Sequence, residues 1–481
     1  MILQSAWQKS FGFLGSKPIV VEPVEEHLTS DAGLLPIRQF DEQIGLTAQF
    51  AAALRDLRYR PFIDHSFAEM ARMRVYGILA GYADQNDHDQ LRYDPVFKLL
   101  AGRQPSDDEL ASQPTLSRFE NAINIASLWR LRDVFMDQFL ASFAAPPRRL
   151  TFDIDTFDDP THGEQQLTFF HGYYEQYQYQ PRLITCAQND LVVMACLLHG
   201  TAHAALGADD DLEYLVGRLR EKWPDVVIEL RGDSGMAVPA MYDVCERLGV
   251  QYTFGLRLNP VLQRQSESLL AEAIEGYEQT GQPQRLFTAF WYQAGSWAER
   301  RWVVVKAEAH AAGTNRRAVV TNRPGAHVLP QAAYEAYADR GESENRNKEM
   351  KCGFEADRLS DHRYLANLFR LYLHVAALNL LVRLRRHVAD PPPENPAAEL
   401  PREALAGYAR RRFFNQRRDR DPLGEGHACT WRMRLIKVAA RVIETTRRIV
   451  VQLSGSWPHL DHYRRVSQQI LDRSQPATDS G

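Results

Sequence analysis

Apolar positions follow two different periods along this chain, and the change of period divides it. Over residues 67–82 they recur at three- and four-residue spacing, which predicts an amphipathic helix. After a short extended start at residues 18–22, residues 1 to about 145 read as mainly helical on the same pattern. The segment Ser112-Gln-Pro-Thr-Leu-Ser-Arg-Phe-Glu120-Asn has a hydroxyl, a proline and then a glutamate, which predicts a helix start.

After Ala144-Ala-Pro-Pro-Arg-Arg149 the period becomes two. Leu150-Thr-Phe-Asp153-Ile-Asp155-Thr-Phe157 predicts a strand, aromatic-rich alternation continues over 166–179, and an apolar run fills 191–198. Residues 209–223 form an amphipathic helix. A strand at 226–230 leads into Arg231-Gly-Asp233-Ser-Gly235, a helix follows over 239–248, and another strand lies at 252–256. The order of three strands, helix, strand, helix, strand matches an α/β, ribonuclease H-like mixed sheet with its site at strand ends.

Between Asn259 and about Gln331, the β-branched and aromatic runs 287–292, 302–306 and 317–321 predict a small antiparallel sheet. A long apolar helix spans 364–386, Asp390-Pro-Pro-Pro-Glu-Asn-Pro marks a linker, and the chain beyond is basic and helical in pattern. The expected division is 1–145, a mainly helical N-terminal region; 146–258, the first part of the core; 259–332, a β-rich insertion; 333–388, the rest of the core; 389–402, a linker; and 403–481, a basic helical region.

Composition narrows the class. At 481 residues and 44% hydrophobic, the chain is long enough for two to four domains with sizeable cores. Its formal net charge of -4 conceals a window, 401–450, with 13 basic residues against five acidic ones. That asymmetry suits a polyanionic partner, with Arg410, Arg411, Arg412, Arg417 and Arg418 as the densest part. Five scattered cysteines with no C-x-x-C pair indicate neither a disulfide framework nor a zinc finger, and a reducing cytoplasm is expected. No apolar run approaches the roughly 18 residues of a membrane span, and the first 17 residues lack a secretory leader pattern.

The candidate chemistry begins at Tyr337-Ala-Asp-Arg340-Gly-Glu-Ser-Glu344, which continues to Lys351. At about 100° per residue, Tyr337, Arg340, Glu344 and Lys351 share an arc of roughly 60° on one continuous helix. Asp155 ends the first core strand and Asp233 leaves the fourth. Singly, each acid has a plainer use: Asp153 and Asp155 as edge residues, Asp233 as a helix cap, Glu344 as a surface charge. Three carboxylates converging from separate elements make a hard oxygen site suited to Mg²⁺, with Mn²⁺ as a substitute. Two such ions about 3.5 to 4 Å apart serve in-line displacement at phosphorus, so a phosphodiester substrate is expected. Arg340 and Lys351 would then hold phosphates, and Tyr337 would hydrogen-bond or stack near the strand end.

The Y-x2-R-x3-E-x6-K spacing, with Arg231-Gly-Asp233-Ser-Gly235 and Asp153-Ile-Asp155-Thr-Phe-Asp-Asp-Pro-Thr-His-Gly163, resembles the DDE transposases of bacterial insertion sequences, most closely the insertion-sequence-1380 group. The resemblance extends to Leu28-Thr-Ser-Asp-Ala-Gly-Leu-Leu35, Tyr82-Ala-Asp-Gln-Asn-Asp-His-Asp89, Gln113-Pro-Thr-Leu-Ser-Arg-Phe-Glu-Asn121 and Phe169-Phe-His-Gly-Tyr-Tyr174, and so covers most of residues 25–380. It implies a metal-binding triad of Asp155, Asp233 and Glu344 and cut-and-paste transposition by a synapsed homodimer on terminal inverted repeats; for the helical N-terminal region two readings stand, a DNA-binding unit and a helical bundle that packs on the next domain. Relatives commonly carry threonine two residues after the first aspartate, where this chain has Phe157, so Asp153 stays the alternative first ligand. A DNA-binding relative that no longer cuts, and a metal-dependent nuclease of the same fold, are the competing readings.

Overall fold

The computed structural model describes residues 7–172, 174–389 and 426–472. The chain opens with a hairpin, β1 (Lys9–Phe11) and β2 (Ile19–Val21), followed by β3 (His27–Thr29). Helices α1 (Leu34–Ile44), α2 (Leu46–Leu54), α3 (Phe67–Ala80), α4 (His88–Leu91), α5 (Pro95–Ala101), α6 (Gln113–Ala122) and α7 (Ile125–Leu140) come next. The predicted amphipathic helix at 67–82 is α3, which starts where the Ser66 side chain accepts from the Glu69 amide and stops at Gly81 in a left-handed conformation.

The period-two stretches then pair into one mixed sheet. β4 (Arg149–Thr156), β5 (Asp159–Pro160), β6 (Phe169–His171), β7 (Gln176–Cys186) and β8 (Val192–His199) precede α8 (Ala208–Lys222). β9 (Val227–Gly232), α9 (Pro239–Arg247) and β10 (Gln251–Leu256) complete the alternation. β4, β9 and β10 run parallel and adjacent, while β7 pairs antiparallel with β4 and with β8. The alternation predicted over 166–179 therefore continues to Cys186, because β7 lies between β4 and β8 and is buried along most of its length.

The insertion departs from expectation in two ways. It begins with helices α10 (Pro260–Gln265) and α11 (Glu267–Thr280), and its strands β11 (Gln284–Tyr292), β12 (Arg301–His310) and β13 (Gly313–Thr321) do not form a separate sheet. β13 pairs antiparallel with β10, so the order β11-β12-β13-β10-β9-β4-β7 is continuous. The reason is the free edge of β10, whose unpaired amides and carbonyls take the nearest strand available.

Helices α12 (Pro330–Ala338) and α13 (Gly341–Lys348) lead through a π turn at Glu349–Gly353 to α14 (Tyr364–Val388). α14 is long and apolar enough to meet the compositional test for a membrane span, which no run in the sequence was expected to do, and 94% of that window is buried inside the protein. Its one amide mid-helix is satisfied: Asn379 accepts from the Val192 amide at 3.0 Å and donates to the Val192 carbonyl at 2.8 Å, pinning α14 to β8. α14 shares one hydrophobic core with α3, α6, α7 and the sheet.

The C-terminal expectation is corrected. The described part contains α15 (Ala428–Trp431), a hairpin of β14 (Ala440–Glu444) and β15 (Ile449–Leu453), and α16 (Leu460–Asp472). β14 also pairs with β3, because the apolar face of Val442 and Ala440 needs a partner and β3 supplies an edge. Arg410, Arg411, Arg412, Arg417 and Arg418 lie outside the described residues, as does the proline-rich linker.

Candidate active site

Two adjacent parallel strands aim two aspartates at the same end of the sheet. Ile154 on β4 is level with Gly232 on β9, so the next residue of each strand, Asp155 and Asp233, emerges side by side. Asp155 accepts from the Thr156 amide at 3.0 Å, and Asp233 accepts from the Gly235 amide at 2.9 Å, which fixes the turn that follows. The third acid, Glu344, rides on α13 with its side chain 68% exposed.

Arg340 joins them. Its guanidinium donates to Asp155 at 3.2 Å and to Glu344 at 3.4 Å, and stands 5.8 Å from the Tyr337 ring centroid. The Tyr337 hydroxyl reaches in over Gly255, where an added Cβ would sit 2.8 Å from the phenol oxygen and 3.1 Å from the Ser234 amide nitrogen. A glycine on β10 thus makes the space that brings Tyr337 to the strand ends, a requirement the sequence pattern does not reveal.

The electrostatics follow from crowding acids in a half-buried place. Burial, with Asp233 and Glu344 adding and Arg340 and the Thr156 amide opposing, pushes Asp155 up to about 6. Burial also raises Tyr337, against the pull of Arg340. A buried carboxyl raised by its acidic neighbours marks a place that a cation relieves.

Asp153, the alternative first acid, has another occupation. It is 1% exposed. Arg231 grips both its oxygens, at 2.6 and 2.9 Å, and Arg346 approaches at 3.4 Å. Arg346 also holds Asp190 at 2.8 Å. The sequence marks neither arginine as a partner of Asp153, since a basic residue in a strand or beside a catalytic-looking glutamate carries no sign of what it pairs with.

The expectation that one helix face carries Tyr337, Arg340, Glu344 and Lys351 is corrected. α12 ends at Ala338, Arg340 sits in the joint before α13, and the π turn at Glu349–Gly353 adds a residue per turn. Lys351 is thereby turned to Asp158 at 2.7 Å, with Asp357 at 3.9 Å. Asp159 beside it is fully buried and pushed well up by that burial.

For a metal, the donor set fits in kind: three carboxylates from a strand, a strand end and a helix are hard oxygen ligands. Among the described residues no three His, Cys, Asp or Glu stand as a ready metal-holding group. The cation that stands among these acids is Arg340.

The family model described as "Transposase DDE domain group 1" matches residues 11–397. The chain belongs to the DDE transposases of that group. No curated protein matches this transposase in sequence. Among solved structures, the "piggyBac transposase synaptic complex with hairpin DNA", determined by cryo-EM, is similar at 12% identity and a TM-score of 0.38, covering 84% of this transposase and 88% of that chain.

Proposed function

We propose that this transposase is of the insertion-sequence-1380 kind and cuts and joins DNA through Asp155, Asp233 and Glu344 on a ribonuclease H-like core. The observation that carries the reading is the meeting of those three acids around Arg340 at the ends of parallel neighbouring strands. The strand order β8-β7-β4-β9-β10, with β10 extended by the insertion, supports the fold assignment.

On this reading Asp155, Asp233 and Glu344 hold Mg²⁺ or Mn²⁺, which when bound supplies activation of the attacking oxygen and stabilisation of the leaving one. Arg340 gives charge-assisted contacts to phosphates near the scissile bond, Tyr337 orients the strand, and Lys351 reaches a flanking phosphate only by leaving Asp158. Water attacks first to free the element's 3′-hydroxyls at its terminal inverted repeats, and those hydroxyls then attack target DNA. A homodimer holding two ends accounts for paired cleavage. The N-terminal helices and the basic segment around Arg410, Arg411, Arg412, Arg417 and Arg418 would track the duplex.

The second reading, a relative that binds DNA without cutting, is favoured by the ion pairs that Arg340 makes across Asp155 and Glu344. Cleavage of a plasmid carrying the DNA that flanks the gene separates the two. Metal-dependent cuts at the element ends that vanish in Glu344→Gln are expected. Binding of those ends with no cut under either metal would establish the second reading instead.

A further inference from the structure

The chain passes from α2 to α3 through a loop whose base is fastened and whose tip is bare. Asp56 accepts from the Arg58 guanidinium at 2.8 Å, and Arg58 donates on to the His65 carbonyl at 2.8 Å, which closes the neck. At the other foot Arg103 donates to the Asp64 carbonyl at 2.5 Å and to Glu69 at 3.0 Å. Between these ties Arg60–Phe62 make one 3₁₀ turn, with Pro61 inside it restricting the backbone.

The four most exposed large apolar side chains among the described residues include three from this loop, Leu57 at 89%, Tyr59 at 71% and Phe62 at 85%. Scattered singly such residues need no explanation, but three on one fastened turn mark a surface that meets a partner. Charge decides which partner. Arg60 is exposed and has no carboxylate partner among the described residues. Arg55 is exposed in left-handed backbone, which residues other than glycine avoid, and its neighbour is another cation, Arg130 of α7. The one acid between Arg55 and Phe62 is Asp56, which Arg58 occupies.

Cations without counter-charges suit a polyanion, whereas the same patch on a second copy would bring like charges together. The Tyr59 and Phe62 rings lie 5.6 Å apart and tilted by 49°, so they offer no flat platform for a run of unpaired bases. A narrow apolar turn flanked by arginines suits the minor groove of a duplex, where apolar wedges and arginines both enter.

The loop also stands at the catalytic end of the sheet. Two residues after Asp155, the Phe157 amide donates to the Pro181 carbonyl at 3.0 Å, and Pro181 is level with Leu197 at the end of β8. The Tyr364 hydroxyl donates to the Leu197 carbonyl, and Arg363 beside it donates to the Asn121 carbonyl at 2.6 Å. α7 begins just beyond, at Ile125, and its Ser127 and Arg130 donate to the Leu54 and Ala53 carbonyls at 3.2 and 2.6 Å, where the loop departs.

We propose that Leu57–Phe62 is a wedge that enters the minor groove of duplex DNA, with Tyr59 and Phe62 pressed on a base step and Arg55 and Arg60 meeting the flanking phosphates. The assignment rests on the reading that this transposase acts on DNA, and concerns a contact separate from the acids.

The test follows the anisotropy of fluorescein-labelled duplexes of equal length, one A·T-rich and one G·C-rich, and of a single strand, mixed with the full chain in the presence and absence of the minor-groove ligand netropsin. The parent is expected to bind both duplexes, and netropsin to compete on the A·T-rich one. Arg60→Ala and Phe62→Ala are each expected to weaken duplex binding about tenfold, with single-strand binding changed less than about twofold. What duplex binding remains should no longer respond to netropsin. The unfolding midpoint should stay in place, since both side chains stand in water, and Phe62→Leu, which keeps an apolar wedge, should retain most of the affinity. Netropsin-insensitive binding by the parent, or unchanged duplex affinity in both alanine variants, would overturn the proposal. Loss of self-association in the variants with duplex affinity per chain retained would overturn it in favour of a surface between copies. A parent that binds duplex with no dependence on this loop overturns this site alone. One that binds no DNA in any form overturns the DNA reading as well.

Discussion

At the scale of single residues, two aspartates two positions apart on one strand look alike in sequence, and their surroundings separate them. Asp155 is partly exposed among acids, while Asp153 is enclosed by Arg231 and Arg346. Asp155→Asn is expected to lose metal-dependent cleavage with its unfolding midpoint unchanged. Asp153→Asn should instead leave the buried Arg231 guanidinium without a counter-charge, Arg346 keeping Asp190, and cost about 3 to 5 kcal/mol of stability. Paired denaturation and cleavage assays check both, and equal residual cleavage in the two variants would defeat the distinction. That Asp155 and Asp233 stand at strand ends was legible, because the period-two pattern locates where β4 and β9 stop. Arg231, Arg346 and Gly255 were not, because their roles depend on partners 78, 193 and 82 positions or so distant along the chain.

At the scale of elements, Glu120 illustrates how a correct helix can carry a misread residue. The hydroxyl-proline-glutamate pattern predicts α6, and α6 forms, yet the Ser112 side chain makes no capping bond. Glu120 is instead fully buried between Arg74 of α3 at 2.8 Å and Arg370 of α14, tying three helices together. Burial drives its carboxyl up, and Arg370 and Arg74 more than cancel that, holding it below its ordinary 4.5. An acid lowered on folding adds stability above its unfolded value and loses it as pH falls through the folded one. Glu120→Gln is therefore expected to lower stability at neutral pH by about 3 to 5 kcal/mol, since both arginines stay buried. The deficit should shrink below pH 4.5, as the parent takes up its proton. Denaturant titrations at neutral and acid pH measure both; a deficit that grows with acid would reject the assignment. The break between α12 and α13 and the π turn were likewise hidden, because a charged 3.6-period pattern continues across them.

At the scale of the whole molecule, local periodicity located the strands but not their neighbours. Which edge receives β13, and that β3 near the start receives β14 from near the end, are decided by what each free edge and apolar face can reach once the core has formed. The closure of start on end is close-fitting: the Gly33 amide donates to the Ile436 carbonyl at 3.1 Å, and Lys437 pairs with Asp31 at 2.6 Å. A Cβ on Gly33 would fall 1.7 Å from the Leu435 carbonyl oxygen, a backbone atom that no rotamer change can move aside. The glycine in the Leu28 to Leu35 motif is thus required by close approach, not by its dihedral angles. Gly33→Ala should cost about 3 kcal/mol and release the C-terminal hairpin to protease before the sheet unfolds. Gly217→Ala, on an exposed position of α8 with nothing within 4 Å of the added carbon, serves as the control and should gain about 0.5 to 1 kcal/mol. If both variants melt alike and are cut alike, the docking of residues 435–438 on the N-terminal segment does not hold the two ends together, and the hairpin's place rests on its pairing with β3 alone.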